Sequence, residues 1–547
     1  MKILFASPDL RVKKVTLRRG VLPAVAAIAL SLLTACSQKA TDTAQEQSFL
    51  SACPGFEETG KAPLVYGAQC GTLSLAENPA DANSRKIEVA VLRLPSISPV
   101  VKGDPLFLIQ GGPGGSSIEM ANFLHANFAE VRKNRDLIFV DQRGTGKSNA
   151  LRCEAPNSDD NLLPEAEQLR ENRMRLMRCA EQHKIEAAFY TTPFAVQDLD
   201  AVRQALGYKT INIWGGSYGT RVALEYARRY SHSTRAIILD GVAPVAIALP
   251  RFFARDTMAA LKAVNDECAQ QPDCFTIFGD IVEKAQRVAQ RLAQAQAADE
   301  TLVVTAPHPR HQQPETIHLT PNTFSQLIFM ALYSRDLTVL LPRAISEAEQ
   351  ENYQLLAALA ALSAEQSQQM NLAEAMHYSV VCNEDWHFNK ALEAVTDDEF
   401  LGKHFMQEMA TVCEFWPKAS LPDDYWEPIV SDVPALLLSG AHDPVTPVAW
   451  AELVANSLPN AIKLRAAGGN HGVSSEGCIP QVIAQFVEQG NLQNTNTDCV
   501  AKIKPLPLVL GANQRKSSSA GSMLSAASSV SSADMISSSS SAGSLQP

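Results

Sequence analysis

Ser217 is the residue whose surroundings most clearly predict chemistry, because it lies at the centre of the run GGSYG at residues 215–219. A strand-like apolar run over residues 211–214 precedes it, and a helix-like run follows directly. A sharp turn from strand to helix strains the turning residue and leaves room only for hydrogen at Gly215 and Gly219. The sequence therefore predicts a nucleophile elbow that presents the Ser217 hydroxyl. The bare pattern also fits a glycine-rich turn with an incidental serine.

A nucleophilic serine needs a base and an acid, and the C-terminal part of the chain supplies both. Asp443 lies in the loop GAHDPVTP at residues 440–447, after a buried-strand pattern. His471 lies in the glycine-rich loop GGNHG at residues 468–472, after a second strand-like run. His442 is the rival for the base, but it adjoins the acid and is poorly placed to face it. The order of nucleophile, acid and base along the chain is that of the α/β-hydrolases.

Acyl transfer also needs two backbone donors for the developing oxyanion. The loop QGGPGGS at residues 110–116 follows a strand-like run, and its missing side chains let the backbone approach a substrate carbonyl. Pro113 has no N–H and only shapes this loop. We therefore expect the oxyanion donors to be the N–H groups of Gly112 and Tyr218.

The run DQRGTGKS at residues 141–148 ends like a phosphate-binding loop. That motif requires a glycine at the position that Asp141 occupies, so the nucleotide-binding interpretation is rejected. The alternative is a buried pair of Asp141 and Arg143 that braces the loop beside the oxyanion glycines. We favour this supporting role.

Five motifs together resemble the α/β-hydrolase serine peptidases that comprise proline iminopeptidases and secreted tripeptidyl aminopeptidases. They are the loop at 110–115, DQRGTGKS at 141–148, GGSYG at 215–219, GAHDPVTP at 440–447 and GGNHG at 468–472. The resemblance covers about residues 64–500. It implies an exported serine exopeptidase that releases short peptides or single residues from a free N-terminus through an acyl-enzyme. Gln110 stands where proline iminopeptidases usually carry His, which favours the tripeptidyl aminopeptidase branch.

The predicted fold is an α/β-hydrolase fold, with a mostly parallel central sheet flanked by helices and a large helical cap inserted between nucleophile and acid. The cap is predicted because 226 residues (443 − 217) separate Ser217 from Asp443, far more than one or two βα units need. The expected division is a signal peptide at 1–35, a tether at 36–60, a first core part at 61–248, a helical cap at 249–425, a C-terminal core part at 426–505 and a Ser-rich disordered tail at 506–547.

An aminopeptidase must capture a protonated amine, and a carboxylate at a fixed distance from the serine can do so. Glu384 and Asp385 follow an apolar run near the end of the predicted cap. The resemblance points to this segment, because the related enzymes carry acidic residues there. The alternative is a pair of solvated acids at the end of a helix or strand.

The N-terminus predicts export. The apolar stretch at residues 21–33 follows the basic residues Arg11, Lys13, Lys14, Arg18 and Arg19 and is too short to span a bilayer. LTAC closes the segment at Cys36. This resembles a bacterial lipoprotein signal, with Cys36 lipidated. The resemblance implies a lipid-anchored protein of the bacterial cell envelope, in the periplasm or at the outer membrane.

Ten cysteines remain after Cys36 is removed from the 11, an even number that suits disulfides in an oxidising compartment. Ten cysteines allow 945 pairings (9 × 7 × 5 × 3), which the sequence leaves open. The pairing that joins near neighbours is Cys53 with Cys70, Cys153 with Cys179, Cys268 with Cys274, Cys382 with Cys413, and Cys478 with Cys499. Neither a Cys-x-x-Cys nor a His-Glu-x-x-His spacing occurs in the sequence, so we expect no metal and no cofactor. A net charge of −11 argues against a nucleic-acid partner.

Three other functions fit parts of the sequence. A proline iminopeptidase shares the five motifs, and a carboxylesterase or lipase uses the same triad. A non-catalytic lipoprotein that keeps the fold for binding belongs to a different class. The expected partners are peptide substrates and, through Cys36, a membrane.

Overall fold

The computed structural model describes residues 49–54, 67–156, 165–184, 186–386, 403–493 and 495–511. The predicted signal peptide, Cys36, most of the tether and the tail beyond residue 511 lie outside the described residues. Among the helices that are described, none is long and apolar enough to cross a membrane.

Strands alternate with helices along the core, as the sequence predicts. In chain order the strands are β1 (Ser51–Ala52), β2 (Gln69–Ala76), β3 (Lys86–Leu94), β4 (Leu106–Ile109), β5 (Leu137–Val140), β6 (Ile211–Gly216), β7 (Thr234–Asp240), β8 (Leu302–Pro307), β9 (Pro314–Leu319), β10 (Ala435–Gly440) and β11 (Ala461–Ala466).

Within the described ranges, nine of these strands form one sheet in the order β1-β2-β3-β5-β4-β6-β7-β10-β11. Pairing is antiparallel from β1 to β5 and parallel from β5 to β11. Strands β4 (LFLI) and β5 (LIFV) are buried at every position, as continuous apolar strands covered on both faces are. The carboxyl ends of β6, β10 and β11 lie at one edge of the sheet, which brings the loops after them together.

Helices make up most of the remaining structure. They are α1 (Ala121–Leu124), α2 (Ala129–Arg132), α3 (Glu165–Gln182), α4 (Thr192–Ala205), α5 (Tyr218–Arg229), α6 (Phe253–Gln270), α7 (Pro272–Phe278), α8 (Ile281–Ala297), α9 (Pro321–Tyr333), α10 (Arg335–Thr338), α11 (Leu341–Glu349), α12 (Gln354–Met370), α13 (Glu374–Val380), α14 (Lys403–Phe415), α15 (Val448–Ala455), α16 (Ile479–Gln489) and α17 (Asp498–Ala501). A π-helical turn, Val381–Asp385, continues α13.

The insertion between β7 and β10, called the lid below, contains α6 to α14 and is mainly helical. It differs from the purely helical prediction, because β8 and β9 form an antiparallel hairpin in register from Leu302 with Leu319 to Pro307 with Pro314. The lid has its own apolar core, which includes Leu261, Val288 and Phe324. The sheet contributes a second core.

The start of the predicted disordered tail is ordered. Leu508 is buried and belongs to the apolar core of the lid. The Val509 N–H donates to the Val339 carbonyl at 3.0 Å. The apolar run at residues 506–510 therefore belongs to the folded chain, and the predicted boundary at 506 is too early.

The disulfide prediction is confirmed at all five pairs: Cys53–Cys70, Cys153–Cys179, Cys268–Cys274, Cys382–Cys413 and Cys478–Cys499. The bridged cysteines are 6 to 31 residues apart in sequence. Each bridge therefore closes a local loop and constrains the unfolded chain there.

Candidate active site

The elbow at Ser217 has the geometry that its sequence predicts. Strand β6 ends at Gly216, helix α5 begins at Tyr218, and Ser217 between them has φ 54° and ψ −124°. A Cβ at Gly215 would lie 2.2 Å from the Gly219 carbonyl oxygen, and one at Gly219 would lie 2.3 Å from the Ile109 carbonyl oxygen. The requirement for glycine at both positions is confirmed.

The structure pairs His471 with Asp443. The imidazole Nδ1 lies 2.9 Å from Asp443 Oδ2 and 3.0 Å from Oδ1. The rival histidine, His442, faces elsewhere, since its Nε2 lies 2.8 Å from Glu267 Oε1 on helix α6 of the lid. Of the two histidines, only His471 therefore contacts the predicted acid.

The loop after β10 holds the Asp443 carboxylate in place. Asp443 Oδ1 accepts from the N–H groups of Val445 and Thr446 at 2.9 and 2.8 Å, and Oδ2 accepts from Thr446 Oγ1 at 2.7 Å. The turn of GAHDPVTP thus satisfies a carboxylate that is buried. These donors fix its orientation toward the imidazole.

Opposite pKa shifts follow from this pairing. Burial alone would raise the pKa of Asp443, but the charge and hydrogen bond of His471, with the donors of Thr446, lower it below its usual value. Burial acts to lower the pKa of His471, but the Asp443 carboxylate raises it above the ordinary 6.5. The arrangement therefore stabilises a protonated imidazole next to an ionised carboxylate.

Asp240, at the end of β7, connects the elbow to the loop of His471. Its carbonyl oxygen accepts from the Ser217 N–H at 2.8 Å. Its carboxylate accepts from the N–H groups of Val473 and Ser474, each at 2.8 Å. One residue therefore positions both segments relative to each other.

Ser217 and His471 make no direct hydrogen bond within the described part of the chain. The imidazole lies over Gly241, where a Cβ would be 3.2 Å from His471 Cε1, and Gly241 directly follows the residue that binds the Ser217 N–H. The ring of Tyr333, at the end of lid helix α9, packs edge-on against the imidazole with centroids 4.8 Å apart. Asp240 and the adjacent Gly241 therefore lie against the nucleophile and the base, respectively.

The glycine-proline loop lies against the elbow. A Cβ at Gly111 would be 2.8 Å from Ser217 Cβ and 3.1 Å from the Tyr218 nitrogen. Among the described residues, no protein acceptor binds the N–H of Gly112 or of Tyr218, and Gly112 is exposed. Two unengaged amides beside a nucleophile are what an oxyanion site requires.

The run DQRGTGKS braces this loop, but not through the predicted pair. Asp141 accepts from Ser116 Oγ at 2.7 Å and from the Ile118 N–H at 3.0 Å, directly after the oxyanion glycines. Arg143 instead forms a bidentate ion pair with Asp198 of α4, with both N–O distances 2.7 Å. The prediction of an Asp141–Arg143 pair is wrong, because each side chain finds its own buried partner.

Two family profiles match this chain in the regions that build the site. The profile described as alpha/beta hydrolase fold matches residues 104–274, which include the oxyanion loop and the elbow. The profile described as TAP-like protein matches residues 398–499, which include Asp443 and His471. The chain therefore carries an α/β-hydrolase domain and a TAP-like domain and is a serine hydrolase of the peptidase type.

Named relatives of this hydrolase include the serine protease Hip1 of Mycobacterium tuberculosis. It is 25% identical over 464 residues, which cover 79% of this chain and 87% of that protein. The tripeptidyl aminopeptidase of Streptomyces lividans is 29% identical over 190 residues, covering 32% of this chain and 35% of that protein. Among solved structures, a proline iminopeptidase of Mycobacterium smegmatis aligns with 18% identity and a TM-score of 0.35, over 77% of this chain and 99% of that one.

Glu384 and Asp385 of the hydrolase, the predicted amine-binding acids, lie buried behind the elbow with exposures of 1% and 2%. Glu384 Oε1 accepts from the Thr192 N–H at 2.6 Å, and Oε2 accepts from Thr192 Oγ1 at 2.8 Å and from the Tyr425 hydroxyl. Asp385 lies 2.9 Å from Arg221 Nη1. The alternative of two solvated acids is therefore wrong.

These contacts place Glu384 and Asp385 between the lid and the core. Thr192 Oγ1 also lies 2.6 Å from the Tyr218 hydroxyl, so Glu384 connects the lid to the residue after the nucleophile. Burial raises the pKa of Glu384 to about 7. Both carboxylates are buried, Glu384 against Thr192 and Tyr425 and Asp385 against Arg221, and their role in binding the substrate amine stays a prediction. In this structure they fasten the lid to the elbow.

A possible metal-binding group lies elsewhere, on the β8–β9 hairpin of the lid. Among the described residues, His308, His311 and Glu315 bring ligand atoms within 4.8 Å of one another. However, Nδ1 of His308 accepts from the Arg310 N–H at 3.1 Å, and Nδ1 of His311 accepts from the Gln313 N–H at 3.3 Å. Each lone pair is thus engaged, and the chemistry of the site requires no metal from this hairpin.

Sequence reasoning missed several residues of the site. Asp240 is the last residue of the buried strand β7, and residues at the carboxyl ends of parallel strands often belong to a site, so this signal was available. The roles of Tyr333 and Thr192 depend on how the lid packs on the core, for which the sequence carries no local signal.

Proposed function

We propose that this hydrolase is an exported serine exopeptidase that releases short peptides or single residues from the free N-terminus of peptides, in the manner of a tripeptidyl aminopeptidase. The observation that carries the proposal is the 2.9 Å contact between His471 and Asp443, held beside a strained Ser217 elbow. The names of the relatives Hip1 and tripeptidyl aminopeptidase support a peptide substrate.

The proposed chemistry is acyl transfer in two halves. Ser217 Oγ attacks the peptide carbonyl while His471 takes its proton, and Asp443 holds the imidazole tautomer. The N–H groups of Gly112 and Tyr218 stabilise the oxyanion. The imidazolium then donates its proton to the departing amine, leaving an acyl-enzyme. Water attacks this ester with His471 as base and restores Ser217.

The lid supports an exopeptidase over an endopeptidase. Its segment before α13 is bonded to the oxyanion loop, with the Ala373 N–H donating to the Gly114 carbonyl at 3.0 Å. On the other side of the site, Tyr333 packs against the catalytic imidazole. A lid fixed this close to the nucleophile limits access to short, free chain ends.

The proposal is tested with matched peptides that differ only in their N-terminus, free or acetylated. We expect cleavage of the free peptides, with products of one fixed short length in mass spectra, and no cleavage of the acetylated set. Release of single proline residues alone would instead identify a proline iminopeptidase. Equal cleavage of acetylated peptides or of simple acyl esters would identify an esterase-like enzyme and overturn the proposal.

We also propose that the protein is anchored in the cell envelope through a lipid on Cys36. Five disulfides among the described residues support an oxidising compartment. Cys36→Ser should move the protein from the membrane fraction to the soluble fraction, and Ser37→Ala should leave it with the membrane. Membrane association of Cys36→Ser would contradict the anchor.

A further inference from the structure

Leu372 is a large apolar side chain that remains exposed beside the oxyanion loop. It is 37% exposed, yet its Cδ2 would lie 3.2 Å from a Cβ placed at Gly112. The side chain therefore borders the space next to the predicted oxyanion donor. Single exposed leucines are common on protein surfaces, but this one borders an exposed glycine whose N–H is the predicted oxyanion donor.

The backbone around Leu372 is fixed from several directions. Asn371 has a left-handed φ of 44°, a conformation that costs of the order of 1 kcal/mol or more in a non-glycine residue and needs support. Arg152 Nη1 donates to Asn371 Oδ1 at 2.6 Å, and Asn371 Nδ2 donates to Glu119 Oε1 at 3.2 Å. On the other side, the Ala373 N–H donates to the Gly114 carbonyl. The backbone of Leu372 is thus held beside the loop on both sides.

A carbonyl oxygen bound to the Gly112 N–H lies about 3 Å from that nitrogen. The α-carbon of the residue that carries this carbonyl is two bonds from the oxygen, so a side chain on the face toward Leu372 can contact it. We infer that Leu372 forms the apolar wall of the subsite for the residue whose carbonyl is attacked. This inference rests on the proposed function and adds to it a preference for apolar over charged side chains at that residue.

The test uses the full-length protein and free aminoacyl, dipeptidyl and tripeptidyl p-nitroanilides that differ only in the residue carrying the anilide: Leu, Ala, Lys or Asp. The wild-type enzyme should prefer Leu. Leu372→Ala should reduce the ratio of kcat/KM for Leu over Ala by about 10-fold, because contact with the longer side chain is lost. Leu372→Glu should shift the preference toward Lys. The control is Leu453→Ala on α15, which is 46% exposed and should keep the wild-type ratios.

The rate of labelling by a small fluorophosphonate separates subsite effects from damage to the nucleophile, and it should be similar in all variants. The subsite would be overturned if Leu372→Ala is labelled normally and its ratio of kcat/KM for the Leu anilide over the Ala anilide stays within twofold of wild type. If the wild type reacts with the probe but cleaves no anilide, the peptidase proposal fails separately. The subsite is then tested by comparing kcat/KM for p-nitrophenyl butyrate with kcat/KM for p-nitrophenyl acetate. Leu372→Ala should reduce the preference for butyrate, and an unchanged preference would overturn the subsite.

Discussion

The Asp240 carbonyl accepts a hydrogen bond from the Ser217 N–H at 2.8 Å, at the turn where Ser217 has a positive φ of 54°. The carboxylate of the same residue accepts from Val473 and Ser474, directly after the His471 loop. Nucleophile and base come from segments more than 250 residues apart in sequence. Asp240 contacts both segments and therefore fixes their relative position.

Asp240→Ala should therefore lower kcat by about 10- to 100-fold with little change in KM. It leaves the buried N–H groups of Val473 and Ser474 without acceptors, which costs about 1–3 kcal/mol for each unpaired group, and the His471 loop shifts as a result. Steady-state kinetics and circular dichroism measure the effect on rate and on fold. A folded Asp240→Ala protein with wild-type kcat would refute this role.

Removing the Asp443 charge should change both the rate and the pH profile. His471 must be neutral to take the Ser217 proton, so activity rises with pH through the pKa of His471, which Asp443 holds above 6.5. Asp443→Asn should lower kcat by about 10⁴-fold and move the acid limb of kcat/KM to lower pH. The measurement is kcat/KM from pH 5 to 9. An acid limb that stays in place would show that Asp443 does not act on the imidazole.

Glu384 should make stability depend on pH. Its pKa is raised by burial from an ordinary 4.5 to about 7, so folding takes up a proton in this range. The resulting stabilisation is fully present below about pH 4.5 and is lost as the pH rises toward 7. Glu384→Gln cannot titrate, so its deficit in unfolding free energy relative to wild type should be largest near pH 5 and smaller at pH 8. Urea unfolding at pH 5 and pH 8 measures this deficit. A deficit that is the same at both pH values would contradict the raised pKa of Glu384.

Gly146 should be required for the Asp141 contacts that support the oxyanion loop. A Cβ there would lie 2.1 Å from Asp141 Oδ2, and φ is 46°. Gly146→Ala should lower the unfolding free energy by about 3 kcal/mol or more, because strain adds to the displacement of a buried carboxylate. Gly207→Ala is the matched control, since Gly207 has φ 74° with nothing within 4 Å, and should cost only about 1–2 kcal/mol. Equal losses would mean that the Asp141 contact is unimportant.

The elements around the triad could be predicted because each follows a local rule. Ser217, Asp443 and His471 all lie in loops after strands, and glycine spacing marks the elbow and the base loop. Parallel strands then bring their carboxyl ends to one edge. The five disulfides agree with the pairing of near neighbours, one of many that the sequence allowed, and each bridge closes a short loop.

Contacts between the lid and the core could not be predicted in this way. The Glu384 carboxylate meets Thr192, almost 200 residues earlier in the sequence, and no local pattern encodes that approach. Arg143 likewise pairs with Asp198 of α4 rather than with nearby Asp141, since packing decides between two equally suitable carboxylates. The β8–β9 hairpin was missed because helical spacing dominates the sequence on both sides of it.

The central claim is that Ser217 forms the acyl-enzyme, and Ser217→Ala tests it most directly. Wild-type protein and variant are treated with a fluorophosphonate, digested and analysed by mass spectrometry, and kcat is measured on a free peptide. We predict one adduct, on the peptide that contains Ser217, with complete loss of wild-type activity. The variant should show no adduct, an unchanged circular dichroism spectrum and a kcat lower by about 10⁶-fold. Turnover by Ser217→Ala well above background, or inactivation through a different serine, would contradict the account.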